Sequence, residues 1–274
     1  GLGPMSTATP NEVEFIELHW QDRKVSIEHQ WLNPHWVDEP LFIFLHEGLG
    51  SVSMWRDYPQ QFCNALHVRG LVYSRPGYGR STPRLPHEVW GSDFMHEQAY
   101  ELLPILLGGL GVKEAPWLFG HSDGGSIALL YASKHPTAGL MVMAPHIKVE
   151  DICIQSIERA KEAYVNTNLR QKLARYHDDV DSAFWGWNNI WLHPNFLNWN
   201  IEKELSTIAC PILAIQGLND EYGTLSQIRD IQKYAPQTQL FEIENCAHSP
   251  HRDQPEALTK CCLNFFTTHH KQLN

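Results

Sequence analysis

Hydrophobic positions change their period along the chain. Residues 14–20 and 24–31 alternate apolar with polar and are separated only by Gln21-Asp22-Arg23, which predicts an antiparallel hairpin at a sheet edge. Beyond residue 40 the alternation gives way to short, nearly continuous apolar runs at 41–45, 70–73, 116–119, 140–144, 212–215 and 240–243. Segments of helical periodicity fall between them. A strand that is apolar on both sides must be covered on both faces. Such runs alternating with helices therefore predict an α/β protein, with a mostly parallel central sheet and helices on both faces. The last helix is marked by Asp253 as its cap, Pro255 in its first turn, and a core-facing stripe of Leu258, Cys261, Cys262, Phe265 and Phe266.

One segment interrupts the alternation. Between Ala144 and Cys210 no strand pattern occurs. Residues 149–177 read as helices with charges on one face. The part that follows carries Phe184, Trp185, Trp187, Trp191, Phe196 and Trp199, so four of the chain's ten tryptophans fall close together. A long insertion between two core strands is usually functional and predicts a helical lid. Its aromatics either wall a ligand site or form the lid's own small core. The expected organisation is a core first part at 14–145, a helical cap at 146–207 inserted before the seventh strand, and a core second part at 208–274. Residues 1–13 read as a cloning remnant (Gly1-Leu2-Gly3-Pro4 ahead of Met5) and an N-terminal tail.

Composition narrows the class. At 274 residues, 43% hydrophobic and 19% charged, the chain reads as a globular protein with one large domain or a domain carrying an insertion. A net charge of −10 argues against nucleic acid or an anionic membrane as the main partner. No apolar run approaches the ~20 residues of a bilayer span, and no leader pattern opens the chain. The six cysteines lack CxxC spacing, so reduced thiols and a cytoplasmic location are expected. Sixteen histidines invite a metal reading, but the closest local pair, His248 and His251, has no HExxH or Cys/His context. Neither a metal nor a cofactor is expected.

The candidate chemistry centres on Gly120-His121-Ser122-Asp123-Gly124, which lies between the apolar run ending at Phe119 and a helix pattern at 125–132. A strand turning sharply into a helix with serine at the apex exposes that hydroxyl above the sheet, near the free N–H groups of the helix. A hydroxyl needs a base to take its proton, and the base needs an acid to orient it. Loops after the carboxyl ends of later strands should carry both. Gln216-Gly217-Leu218-Asn219-Asp220 follows one such strand, and Glu244-Asn245-Cys246-Ala247-His248 follows the next. Asp220 competes with Glu221, and His248 with His251. An oxyanion site requires two amides: one from Asp123, the residue after the serine, and one from the loop His46-Glu47-Gly48-Leu49-Gly50-Ser51.

With these residues in order, the chain resembles the α/β-hydrolase superfamily in its capped, cofactor-free branch, over nearly all of 14–274. The 46–51 loop resembles the HGxxGS oxyanion loop. Ser74-Arg75-Pro76-Gly77-Tyr78-Gly79-Arg80-Ser81 resembles the DRxGxGxS turn, and 120–124 the GxSxG elbow. Residues 217–220 resemble the acid loop, and Ala247-His248 with Pro255 the terminal histidine segment. The resemblance implies Ser122 as nucleophile, His248 as base and then acid, Asp220 as orienter, and Gly48 and Asp123 as oxyanion amides. Three departures stand out: Glu47 and Ala247 replace glycines, and Asp123 puts a carboxylate beside the oxyanion site. Its side chain is expected to face the lid and to disfavour anionic groups.

Leu49, Trp187 and Trp191 are the candidate substrate-binding residues. Arg75, His46 and His121 read as structural supports, and Trp55 as the anchor of the first helix. The implied activity is that of a carboxylesterase acting on a small or medium ester-like molecule with an apolar acyl or aryl group. Carbon–carbon bond hydrolysis, enol-lactone hydrolysis and non-catalytic ligand binding are the alternatives, and homo-oligomer formation is left open. A base with an ordinary imidazole pKa predicts activity falling below about pH 6.

Overall fold

The computed structural model describes residues 12–273, with side chains through 270. The cloning remnant expected at residues 1–4 lies outside the described residues. Eight strands form one sheet: β1 (Glu14–Trp20), β2 (Arg23–Leu32), β3 (Leu41–Leu45), β4 (Arg69–Tyr73), β5 (Trp117–His121), β6 (Gly139–Met143), β7 (Ile212–Gly217) and β8 (Thr238–Ile243). Their order is β1-β2-β4-β3-β5-β6-β7-β8. The β1–β2 and β2–β4 pairs are antiparallel, and all the others are parallel. Every residue of β3 to β7 is buried, which is why these strands carry no alternation, whereas β1 alternates as an edge strand must.

The two sides of the sheet have separate cores. On one side Phe42, Phe44, Phe119, Met141 and Leu213 meet Phe62 of α1 (Tyr58–Leu66) and the Leu258/Cys262/Phe265/Phe266 stripe. On the other, Ile43, Leu118, Leu140 and Ile212 meet three further helical regions. The first is α2 (Phe94–Glu97), which continues through a π turn at Gln98–Leu102 into α3 (Leu103–Gly109). The second and third are α4 (Asp123–Lys134) and, following the insertion, a helix at Ser226–Tyr234. Each such side chain taken out of water contributes roughly 1.5–3 kcal/mol, so the cores fix the strand ends from which the site is built.

The insertion between β6 and β7 contains α5 (Asp151–Asn166), α6 (Leu169–Leu173), α7 (Val180–Trp191), a 3₁₀ turn at Pro194–Phe196 and α8 (Glu202–Leu205). Asp179 caps α7 by accepting the Ser182 amide at 3.0 Å. The aromatics form a local core: Phe184 stacks on Tyr164 at 3.8 Å, and Phe196 packs with Trp199 at 5.4 Å. Trp187, against Phe184 at 5.7 Å, and Trp191, against Phe196 at 4.8 Å, belong to it and also line a cavity against the sheet.

After α9 (Ser226–Tyr234) the chain differs from expectation at its last helical region. The last helix, α11 (Pro255–Leu273), has Pro255 in its first turn as expected, but a short α10 (Pro250–Asp253) precedes it, separated by Gln254. Pro255 disfavours helical geometry at the residue before it, and Gln254 sits at φ −140°, ψ 59°. Asp253 therefore ends α10 instead of capping α11, and its Oδ2 accepts the Ala247 amide at 2.8 Å. All six cysteines are free. Among the described residues no helix is long and apolar enough to cross a membrane.

Candidate active site

The carboxyl ends of β3, β5, β6, β7 and β8 converge on Ser122. This residue joins β5 to α4 at φ 55°, ψ −119°, a strained backbone for any side chain larger than hydrogen. Its amide donates to Met143 O at 2.8 Å, and its carbonyl accepts the Ser126 amide at 3.1 Å. The flanking glycines leave the turn its space. A Cβ at Gly120 would lie 2.4 Å from Gly124 O, and one at Gly124 would lie 2.1 Å from Leu45 O.

Ser122 Oγ lies 3.0 Å from His248 Nε2, while His248 Nδ1 lies 2.9 and 3.0 Å from the two Asp220 oxygens. A carboxylate only accepts, so this network assigns the proton to Nδ1 and leaves Nε2 to accept from the hydroxyl. Burial works against the charge on Asp220, but His248 and the Tyr222 amide outweigh it and hold the carboxyl below its ordinary value. Burial likewise disfavours the imidazolium form of His248. Asp220, together with Glu221 and Glu47, overcomes this and raises its pKa above 6.5. The two competing residues are placed elsewhere. His251 is buried against Trp55 and Tyr58, with ring centroids at 5.1 and 5.7 Å. The Glu221 carbonyl accepts the Ser156 hydroxyl, and its carboxylate makes no hydrogen bond to His248.

The loop after β3 is held from below. Arg75 donates through Nη1 to His46 O at 2.5 Å and through Nη2 to Glu47 O at 3.2 Å. The Arg75 amide donates to His46 Nε2 at 3.0 Å, so Nδ1–H of the same ring donates to Glu47 O at 2.7 Å. Burial, reinforced by Arg75, keeps His46 well below the ordinary imidazole value. Arg75 and His46 are thus supports of the backbone, as expected. Trp55 lies in a 3₁₀ turn just before α1, buried against Phe44 and Phe119.

Gly48 and Asp123 border the same cavity as Ser122. A Cβ at Gly48 would lie 2.2 Å from Trp187 Nε1 and 3.0 Å from Asp123 Oδ2, so glycine is required where α7 meets the loop. The Asp123 side chain faces α7, where Oδ2 accepts the Trp191 indole N–H at 3.2 Å. Burial lifts this carboxyl to about 6 against the opposing pull of Arg75 and the indole. A second tie to the insertion was not legible in the sequence. His177 Nδ1 accepts the Gly79 amide at 2.9 Å, and its Nε2–H donates to Leu49 O at 2.9 Å.

The cavity holds about 80 Å³. A cavity of ~150 Å³ binds benzene, so this smaller space suits a compact group. Leu49, Trp187 and Trp191 line it, as do the unpredicted Glu47, His146, Cys153, Ile157 and Tyr222. Cys153 and Ile157 stand four apart on α5, a spacing that could have shown a shared face. His146 follows β6 at the carboxyl end of the sheet, and this position was its available signal. Burial pushes its imidazole down to about 4, and among the described residues its Nδ1 has no hydrogen-bond partner.

This fold and site correspond to a known class. Residues 42–260 match the model of the alpha/beta hydrolase family, and the chain belongs to that family. It is 28% identical over 260 residues to RutD of Caulobacter sp. (strain K31), assigned as a carbamate hydrolase; the match covers 82% of this chain and 90% of that protein. Solved structures share the fold. A carboxylesterase of Nitrososphaera gargenis superposes with TM-score 0.75 at 17% identity, covering 94% of this chain and all of that one. An enol-lactonase of Burkholderia xenovorans LB400 gives 0.69 at 18% identity, covering 89% and 97%.

Proposed function

We propose that the protein hydrolyses small carboxylic esters through an acyl-enzyme on Ser122. The observation that carries this reading is the continuous Asp220–His248–Ser122 hydrogen-bond chain ending on a strained serine that borders a small cavity. His248 Nε2 takes the hydroxyl proton as Oγ attacks the carbonyl carbon. The amides of Gly48 and Asp123 receive the oxyanion, and loss of one such donor costs about 3 kcal/mol of transition-state stabilisation in well-studied hydrolases. His248 then gives the proton to the leaving alcohol, and water repeats the cycle on the acyl group. The cavity favours an acetyl-sized acyl group over the aryl group expected from the tryptophan content. The Asp123 carboxylate on its wall disfavours an acyl group bearing a negative charge.

A carbamoyl group has as many non-hydrogen atoms as acetyl, so the same cavity accommodates a carbamate. The likeness to RutD supports that second reading. Nitrophenyl esters from acetate to octanoate, with a nitrophenyl carbamate beside them, separate the two. The account expects kcat/KM to be highest for acetate and to fall with chain length. Its acid limb should lie above pH 6.5, because His248 is raised and activity is lost as pH falls through its pKa. Faster turnover of the carbamate than of acetate selects the second reading, and inertness on the whole panel rejects both.

A further inference from the structure

The histidine preceding the nucleophile and the glutamate in the oxyanion loop make a pair that the hydrolytic steps above do not use. His121, at the end of β5, is 1% exposed. Its Nε2 lies 2.8 Å from the carbonyl oxygen of His248. A carbonyl only accepts, so Nε2 carries a proton. Its Nδ1 faces Glu47 Oε2 at 3.4 Å, and among the described residues it has no other polar partner. Two acceptors, a carboxylate and a carbonyl, thus flank one imidazole, and both contacts are attractive only when the Glu47–His121 pair holds a proton between them. Burial opposes charge on Glu47, but the contact with His121 holds the carboxyl well below its ordinary value. The loop is built around this side chain: a Cβ at Gly50 would lie 1.7 Å from Glu47 Oε1.

The main chain at His248 is therefore held on both sides by side chains. Asp253 Oδ2 holds the amide of Ala247 at 2.8 Å, and His121 holds the carbonyl of His248 at 2.8 Å. We propose that Glu47 and His121 form a second acid–imidazole pair that positions the base His248 through its backbone, opposite the side on which Asp220 orients its ring. Both are positioning residues. The inference rests on the reading of Ser122 and His248 as nucleophile and base. The groups facing His248 are Asp220, Glu221 and Tyr222 from the loop after β7, Glu47 from the loop after β3, and His121 from β5. His146 after β6, Asp123 of α4 and His251 of α10 complete its surroundings. Of the carboxylates among these, Glu47 alone reaches His248 through a second imidazole.

The test compares wild type, Glu47→Gln, Glu47→Asp, His121→Gln and the Glu47→Gln/His121→Gln double variant on nitrophenyl acetate across pH. Misplacing a catalytic group slightly costs one to two powers of ten, so Glu47→Gln should lower kcat about tenfold with KM little changed. Its acid limb should move to lower pH, because a negative charge that favours the imidazolium is gone. Glu47→Asp should keep the wild-type acid limb. Glutamine at 121 retains a donor for the His248 carbonyl but breaks the link to Glu47, so adding Glu47→Gln to that background should lower kcat little further. Wild-type kcat and acid limb in Glu47→Gln, or fully additive effects in the double variant, overturn the inference. If Glu47→Gln fails to fold, His121→Gln and Glu47→Asp give the decision: kcat lowered about tenfold with KM little changed in the first, and the wild-type acid limb kept in the second, support the pair, and any other pattern overturns it. A wild type that turns over no ester defeats the underlying reading instead.

Discussion

Asp123 is held under conflicting demands. Its amide is the one proposed to receive the oxyanion, while its side chain is buried with an indole N–H as its hydrogen-bond partner. The native carboxyl keeps its proton up to about pH 6, whereas the free side chain loses it near 3.8. Between those values the folded chain binds more protons than the unfolded one, so stability falls as pH rises through that window and is level on either side. The shift corresponds to about 3 kcal/mol. Asp123→Asn removes the charge and keeps an acceptor for Trp191. Its melting temperature should exceed that of wild type at pH 8, with the gap closing by pH 4; a gap independent of pH contradicts this. The Asp220–His248–Ser122 hydrogen-bond chain was legible at this scale because each member sits at the carboxyl end of a strand whose apolar run is unmistakable. The Glu47–His121 pair was not. Glu47 registered only as a departure from glycine, and a contact between residues 47 and 121 leaves no periodic trace.

At the scale of elements, α7 is the piece that shapes the cavity. Its Trp187 rests on the bare Cα of Gly48, and its Trp191 reaches Asp123. Gly48→Ala drives a methyl group into the indole and should lower kcat/KM for nitrophenyl acetate by about tenfold or more, since displacement of the loop misplaces an oxyanion amide. Trp187→Ala in the same chain makes room again and should recover part of the loss while extending acceptance toward butyrate. An active Gly48→Ala variant with unchanged chain-length preference would show that the indole is not seated there. The sequence pointed to a tryptophan-rich insertion but not to the division of labour within it. Trp187 and Trp191 pack into the local core and line the cavity at once, while Phe184 stays in the core, a distinction composition does not encode.

Over the whole molecule, the sheet was the most legible feature. Strands buried on both faces have no choice but continuous apolar sequence, and all eight lie where those runs and the hairpin fall, with ends differing by a few residues. What the runs could not give is cavity size, which depends on how far the insertion closes onto the strand ends. The central claim is that Ser122, activated by His248, forms the acyl-enzyme. Fluorophosphonate labelling followed by peptide mapping tests it most directly. The account predicts a single adduct on the peptide containing Ser122, none in Ser122→Ala, and labelling slowed by orders of magnitude in His248→Ala. Turnover of esters with no adduct on Ser122, or an adduct on another residue, would contradict it.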